Sequence, residues 1–222
     1  MPKLECDISQ SLWNALNIYQ QRTGESINHI VQRALGDALQ IDHHTLFQVS
    51  TSGALVEGLY QGSVTVETLK QHGDFGLGTF ENLDGEMIAL DGHFYQARSD
   101  GRVTSPSNSV RVPFSVVTHF TPDRTVKLKN IQNYDDLVNQ ITPYRSTNNL
   151  FFAIRCQGYF QWIKTRTACK TPSGVPLVKA TLAQAEFEFQ EIAGTLVGFW
   201  TPSYASAINV PGYQLHFISE YH

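Results

Sequence analysis

The sequence predicts an α+β protein with one or two mostly antiparallel sheets, preceded by a small strand-helix-helix unit. Three observations predict this. Residues 43–222 are rich in β-branched and aromatic residues punctuated by Gly, Asp and Asn, the texture of short strands joined by turns. Helical spacing in that stretch is confined to short segments. Residues 1–42 read differently: a brief alternation is followed by two runs of helical periodicity.

In chain order, Leu4, Cys6 and Ile8 alternate with Lys3, Glu5 and Asp7, a strand pattern. Ser9 is placed to cap a helix whose Leu12, Leu16 and Tyr19 share one face, and Gly24 is a natural stop. Ser26 opens a second helix carrying Ile27, Ile30, Val31, Ala34, Leu35 and Leu39. Further on, helices are expected at Val66–Gln71 and at Asp135–Ile141, the latter ended by Pro143. Strands are expected at Met87–Leu90, Phe94–Ala97, Ser115–Phe120, Leu150–Arg155, Tyr159–Thr165, Ala185–Gln190, Gly194–Phe199 and Gln214–Ser219. The last alternates poorly and reads as buried on both faces. Charge and Pro cluster near Pro122–Lys129, a candidate boundary inside the larger region.

The chain has 222 residues and a formal charge of −4, enough length for a sizeable core and no basic excess for bulk nucleic-acid or membrane-surface binding. Acidic ligands must be held by local charges. Cys6, Cys156 and Cys169 follow no CxxC spacing, which argues against a disulfide framework and for a reducing compartment. MPKLECD has no charged head leading into an apolar run, so no secretory signal is read. No run approaches the ~18 apolar residues of a membrane span. A cytoplasmic location is expected.

Strand, helix, Gly-containing turn and helix over Lys3–Ile41 resemble the ribbon-helix-helix fold. The resemblance implies an obligate homodimer, since the lone strand pairs with its partner's. In DNA-binding members the outward strand residues read the major groove. Here these are Lys3, Glu5 and Asp7. Residues 1–42 hold three Lys/Arg (Lys3, Arg22, Arg33) against five Asp/Glu (Glu5, Asp7, Glu25, Asp37, Asp42), a net −2. Affinity for DNA comes largely from cations on phosphates, so an acidic face argues against DNA and for a dimerisation segment.

The most specific signal runs from Ser50 to Gln96. SGAL, GLYQG, HGDFGLGTF, LDGEMI, LDG and YQ follow one another in order. Beyond them stand VPFSVVTHF (Val112–Phe120), TRT (Thr165–Thr167), VGFWTPSY (Val197–Tyr204) and PGYQLHFIS (Pro211–Ser219). This series resembles acetolactate decarboxylase over nearly all of residues 45–220. The resemblance implies a two-lobed domain over 43–222 and conversion of 2-acetolactate, a 2-hydroxy-3-keto acid, to acetoin and carbon dioxide. It also implies a zinc ion held by three histidines. Such a metal stabilises the enediolate left when the carboxylate departs, and an acid then delivers a proton to one face.

The family's active-site Glu, Thr and Arg fall on Glu86, Thr79 and Arg166. Glu86 follows the turn signal Asp84-Gly85 and can orient substrate or shuttle a proton. Arg166 offers a planar fork suited to a carboxylate, and Thr79 one hydroxyl hydrogen bond. Taken alone, each has a plainer reading: a turn carboxylate, a strand-surface arginine and a β-favoured threonine. Asp74, Asp84 and Asp91 read as turn residues. His72 and His93 flank turns, match no family ligand position and read as structural or exposed.

The family's metal site begins with H-x-H on a strand, where alternate side chains point the same way. Here the pattern is Gln214-Leu215-His216, with Gln214 in place of the first histidine. An amide oxygen is a harder, weaker zinc ligand than imidazole. The family's third histidine and late catalytic Glu fall past His222. His43-His44 has no partner motif. Two readings stay open: a decarboxylase, possessing or lacking full activity in this chain, and a non-catalytic small-molecule-binding or regulatory relative.

Overall fold

The computed structural model describes residues 4–39 and 44–221. Lys3, the boundary at Ile41–Asp42, His43 and His222 lie outside the described residues. Contacts divide the chain into two compact units.

The first unit comprises residues 1–44 and 121–148. Helix α1 (Gln10–Thr23) starts where Ser9 Oγ accepts from Leu12 N, and stops at Gly24, whose left-handed φ of 76° sends its N–H back to Gln20 O. α2 (Ile27–Leu39) starts where Ser26 Oγ accepts from His29 N. Ile30 is buried on it, whereas α1 buries none of its residues. Residues 4–9, expected as a strand, form none in the single chain. His44, which the sequence leaves without a partner motif, lies beside His29 and Asp123. α5 (Tyr134–Ile141) is capped by Asn133 and gives way to a short 3₁₀ turn carrying Pro143.

The second unit comprises residues 45–120 and 149–222. It contains the strands β1 (Phe47–Val49), β2 (Val64–Thr65), β3 (Phe75–Thr79), β4 (Glu86–Leu90), β5 (His93–Ala97), β6 (Val103–Thr104), β7 (Arg111–Val112), β8 (Phe114–Thr118), β9 (Phe152–Thr167), β10 (Ala185–Thr201) and β11 (Gly212–Ser219), with the short helices α3 (Ser52–Val56), α4 (Val66–His72) and α6 (Leu177–Ala180). An antiparallel six-stranded sheet runs β1-β8-β3-β4-β5-β6. A second sheet runs β11-β10-β9, and β2 pairs with β7.

Pleating decides what each face meets. Met87 and Ala89 of β4 and Val117 of β8 pack with Val66 and Leu69 of α4. The opposite face presents Phe75 and Leu77 of β3, Ile88 of β4, and Phe114 and Val116 of β8. These pack on Val197 and Phe199 of β10 and Ile218 of β11. The three-stranded sheet therefore covers one face of the larger sheet and α4 the other.

Two differences from the sequence reading have physical causes. β3 was not foreseen. Its FGLGT is buried along its whole length, and Gly76 and Gly78 leave no alternation to read. These glycines lie against Val116–Val117 and Phe114–Ser115 of β8, where a Cβ has no room. The pairs expected at 150–155 with 159–165, and at 185–190 with 194–199, are each one long strand. Gly158 and Gly194, the apparent breaks, pair with each other inside the continuous ladder.

Candidate active site

Thr79 closes β3 and Glu86 opens β4, and the two are direct cross-strand partners. The turn between them needs Gly85, whose φ is 93° and whose missing Cβ would run into Ala97 O. Thr79 Oγ1 donates to Gly85 O at 2.9 Å, so the buried hydroxyl pins the turn. Asp84 is fixed from the other side: Gln96 Nε2 donates to its backbone oxygen, and Arg98 Nη2 lies 3.4 Å from its Oδ2.

Glu86 is thereby held on the sheet face that looks toward β11. Its Oε1 accepts from Ala168 N at 3.3 Å, and its Oε2 lies 3.8 Å from His216 Nε2. His216 Nδ1 lies 3.1 Å from Met87 O. A carbonyl can only accept, so Nδ1 carries the hydrogen and a neutral ring presents its lone pair at Nε2. That is the nitrogen facing Glu86. A lone pair and a carboxylate oxygen at this distance repel unless a proton or a cation lies between them. A protonated ring satisfies this contact as an ion pair, whereas a neutral ring leaves Nε2 and Glu86 Oε2 placed to share a divalent cation, with Met87 O backing the imidazole. Gln214 lies two residues before His216 on β11. It pairs with Phe199 as His216 pairs with Val197, and both partners belong to the core between the sheets. Gln214 and His216 thus share a face.

The structure brings Thr79, Glu86 and His216 together. Arg166 is engaged by another residue: it stands near the end of β9, opposite Glu186 of β10, with Nε 3.2 Å from Glu186 Oε1 and 64% of its side chain exposed. The hydrogen bond from Lys164, with Arg166 adding its charge, holds the Glu186 carboxyl below its ordinary value. Two residues past Arg166, Ala168 supplies the backbone N–H on Glu86. Thus the residue that follows β9 reaches the site through its backbone.

The plainer readings hold for several other residues. His72 stacks on Phe47 at 3.9 Å, and the exposed His93 sets Nδ1 3.2 Å from Asp91 O. Asp74 accepts from Phe120 N, and Asp91 takes the left-handed φ of a turn. An open cleft of about 400 Å³ beside the Asp84 turn is lined by Phe80, Arg98, Arg111 and Lys170 and includes none of Thr79, Glu86 or His216. The backbone groups of Ala168 and Met87, which orient the two central side chains, were missed from sequence, because a peptide N–H or C=O leaves no residue-type signal.

The family model described as alpha-acetolactate decarboxylase matches residues 46–222. The alpha-acetolactate decarboxylase of Brevibacillus brevis is 44% identical over 178 residues, 80% of this chain and 62% of the relative. That of Methanosarcina mazei is 42% identical over 197 residues, 88% of this chain and 67% of the relative. The chain thus spans about two thirds of the length of these relatives. The crystal structure of the Bacillus subtilis strain 168 alpha-acetolactate decarboxylase superposes with a TM-score of 0.76 at 44% identity, covering 79% of this chain and 75% of that one. With the family pattern running through the strands that carry Thr79, Glu86 and His216, the chain belongs to the alpha-acetolactate decarboxylase family.

Proposed function

We propose that this chain decarboxylates 2-acetolactate to acetoin at the Glu86–His216 site. The single observation that carries the reading is the 3.8 Å approach of His216 Nε2 to Glu86 Oε2, each held by a backbone group on its far side. His216, with Gln214 on the same face, would hold zinc. A bound zinc ion supplies Lewis-acid stabilisation of the negative charge that grows on the ketone oxygen. The chain's own groups do the rest. Thr79 positions Glu86 through the Gly85 carbonyl. Glu86, with Oε1 tied to Ala168 N, keeps Oε2 for the substrate side and carries the proton to the carbon that loses carbon dioxide. Arg166 takes the substrate carboxylate by exchanging it for Glu186. Exposed ion pairs are worth ~0–1 kcal/mol, so that exchange costs little.

The test is acetoin formation from racemic 2-acetolactate by zinc-supplemented protein, measured against the spontaneous rate. No acetoin above that rate sinks the catalytic reading. Binding of acetolactate without turnover then favours the non-catalytic relative.

We infer that residues 1–42 form a dimerisation segment of the ribbon-helix-helix kind in a cytoplasmic protein. α1 buries nothing, and Leu4, Ile8, Leu12, Trp13 and Ile18 are exposed. Exposed apolar side chains gathered on one short segment are what a second copy covers. A strand that pairs only with a partner's is absent from a single chain. The three cysteines are free, as in a reducing compartment, and no described helix is long and apolar enough to cross a membrane. A monomeric mass in sedimentation equilibrium would contradict the dimer.

A further inference from the structure

A second group of ligating side chains lies in the first unit. His29, His44 and Asp123 each direct one ligand atom toward the others, all within 4.8 Å of one another. We propose that His29, His44 and Asp123 form a divalent-metal site of the zinc class, tying α2 to the chain at His44 and to the segment that begins at Thr121. This inference is independent of the reading of the Glu86–His216 site.

Three features point to a metal. The first is spacing. Ligand atoms 2.0–2.2 Å from a tetrahedral zinc ion sit roughly 3.4 Å apart. His29 Nδ1 and Asp123 Oδ1 are already 3.7 Å apart, and no pair in the group needs to close by more than about 1.4 Å. The second is the arrangement of the outer nitrogens. Metal-bound imidazoles usually give their other N–H to a carboxylate or carbonyl oxygen, which fixes the tautomer and raises ligand basicity. His29 Nε2 lies 3.4 Å from Glu25 Oε2, and His44 Nε2 lies 3.2 Å from Gln32 Oε1. Both rings thus meet oxygen acceptors at Nε2, which places the ligating lone pair on Nδ1. Glu25 is itself anchored by Arg33 Nη2 at 3.2 Å. The third is the ligand chemistry. Two imidazoles and one carboxylate suit zinc, cobalt or nickel and suit calcium or magnesium poorly.

Local structure explains how the group assembles. Glu25, His29 and Gln32 follow one another at i, i+4 and i+3, so α2 and its lead-in present them along one side. His44 takes a left-handed φ of 54° and brings its ring within 3.9 Å of the His29 ring, centroid to centroid. Asp123 arrives from a segment about 80 residues further along the chain. A metal here joins α2 and the nearby His44 to a segment distant in sequence.

The test is a zinc titration of the full chain against a chromophoric chelator, with bound zinc per chain and thermal midpoint read together. Expected is tight binding that His216→Ala retains, with affinity at least tenfold weaker in His29→Ala and in Asp123→Asn. Glu25→Gln should weaken it by ~10-fold, the usual loss for a supporting residue. If His29→Ala fails to fold by circular dichroism, the unaltered chain decides: zinc must shift the ring signals of His29 and His44 in its NMR spectrum. Zinc binding that these substitutions leave unchanged, ring signals of His29 and His44 that do not move, or no zinc binding at micromolar concentration overturns the proposal.

Discussion

His216 Nε2 lies 3.8 Å from Glu86 Oε2, although the two residues are 130 positions apart and on strands of different sheets. Each is braced from behind by a peptide group, Met87 O for the histidine and Ala168 N for the glutamate. The couple is therefore pre-aligned by the two sheets.

Gln214 occupies the position where H-x-H would provide a second imidazole. Gln214→His should tighten zinc binding at this site by at least tenfold, since imidazole suits zinc better than an amide oxygen. It should also raise the rate of acetoin formation at limiting zinc. Competition with a chelator of known affinity reads the first effect. Unchanged zinc affinity would mean that Gln214 does not face the metal.

Arg166 is held by Glu186, and the proposed function needs it to let go. Glu186→Gln removes that competitor, so KM for acetolactate should fall by up to ~5-fold, the scale of an exposed ion pair, with kcat little changed. Steady-state kinetics checks it. A raised KM would instead make Glu186 a positioning partner of Arg166.

Gly198 on β10 lies against Gln214 O and Leu215 Cα of β11, with no space for a methyl group. Gly198→Ala should destabilise the protein by about 1–3 kcal/mol and displace His216 with its strand. A lowered denaturant midpoint together with lost activity is expected. A midpoint equal to that of the unaltered chain would show that β11 tolerates the shift.

Burial pushes the Cys156 thiol up. The thiolate is the reactive form. At mildly alkaline pH, iodoacetamide should label Cys156 more slowly than Cys169, as read by peptide mass spectrometry. Equal rates would mean that β9 opens readily around Cys156.

Much of this architecture is legible in the sequence. Both amino-terminal helices, with their Ser9 and Ser26 starts and Gly24 stop, follow from local chemistry. So do α4, α5 and the hairpin strands around Asp91-Gly92, because period and punctuation agree there. β3 was illegible: Gly76 and Gly78 have no side chain to alternate, and the reason for them lies in β8, 40 residues away. Gly158 and Gly194 looked like two breaks and are one cross-strand pair. At the site, Glu86 and His216 are visible through the family pattern, but their approach is a property of sheet packing. Arg166 is visible through the same pattern, but only the fold shows the glutamate that holds it.

A double-mutant cycle tests the central claim most directly. The rate of acetoin formation is measured for the unaltered chain, Glu86→Gln, His216→Ala and the double variant. Each single change should lower kcat/KM by about 100-fold or more, and the double variant should be no worse than the poorer single one, since groups acting as one device are strongly non-additive. Losses that multiply, or a Glu86→Gln chain that keeps its rate, would contradict the account.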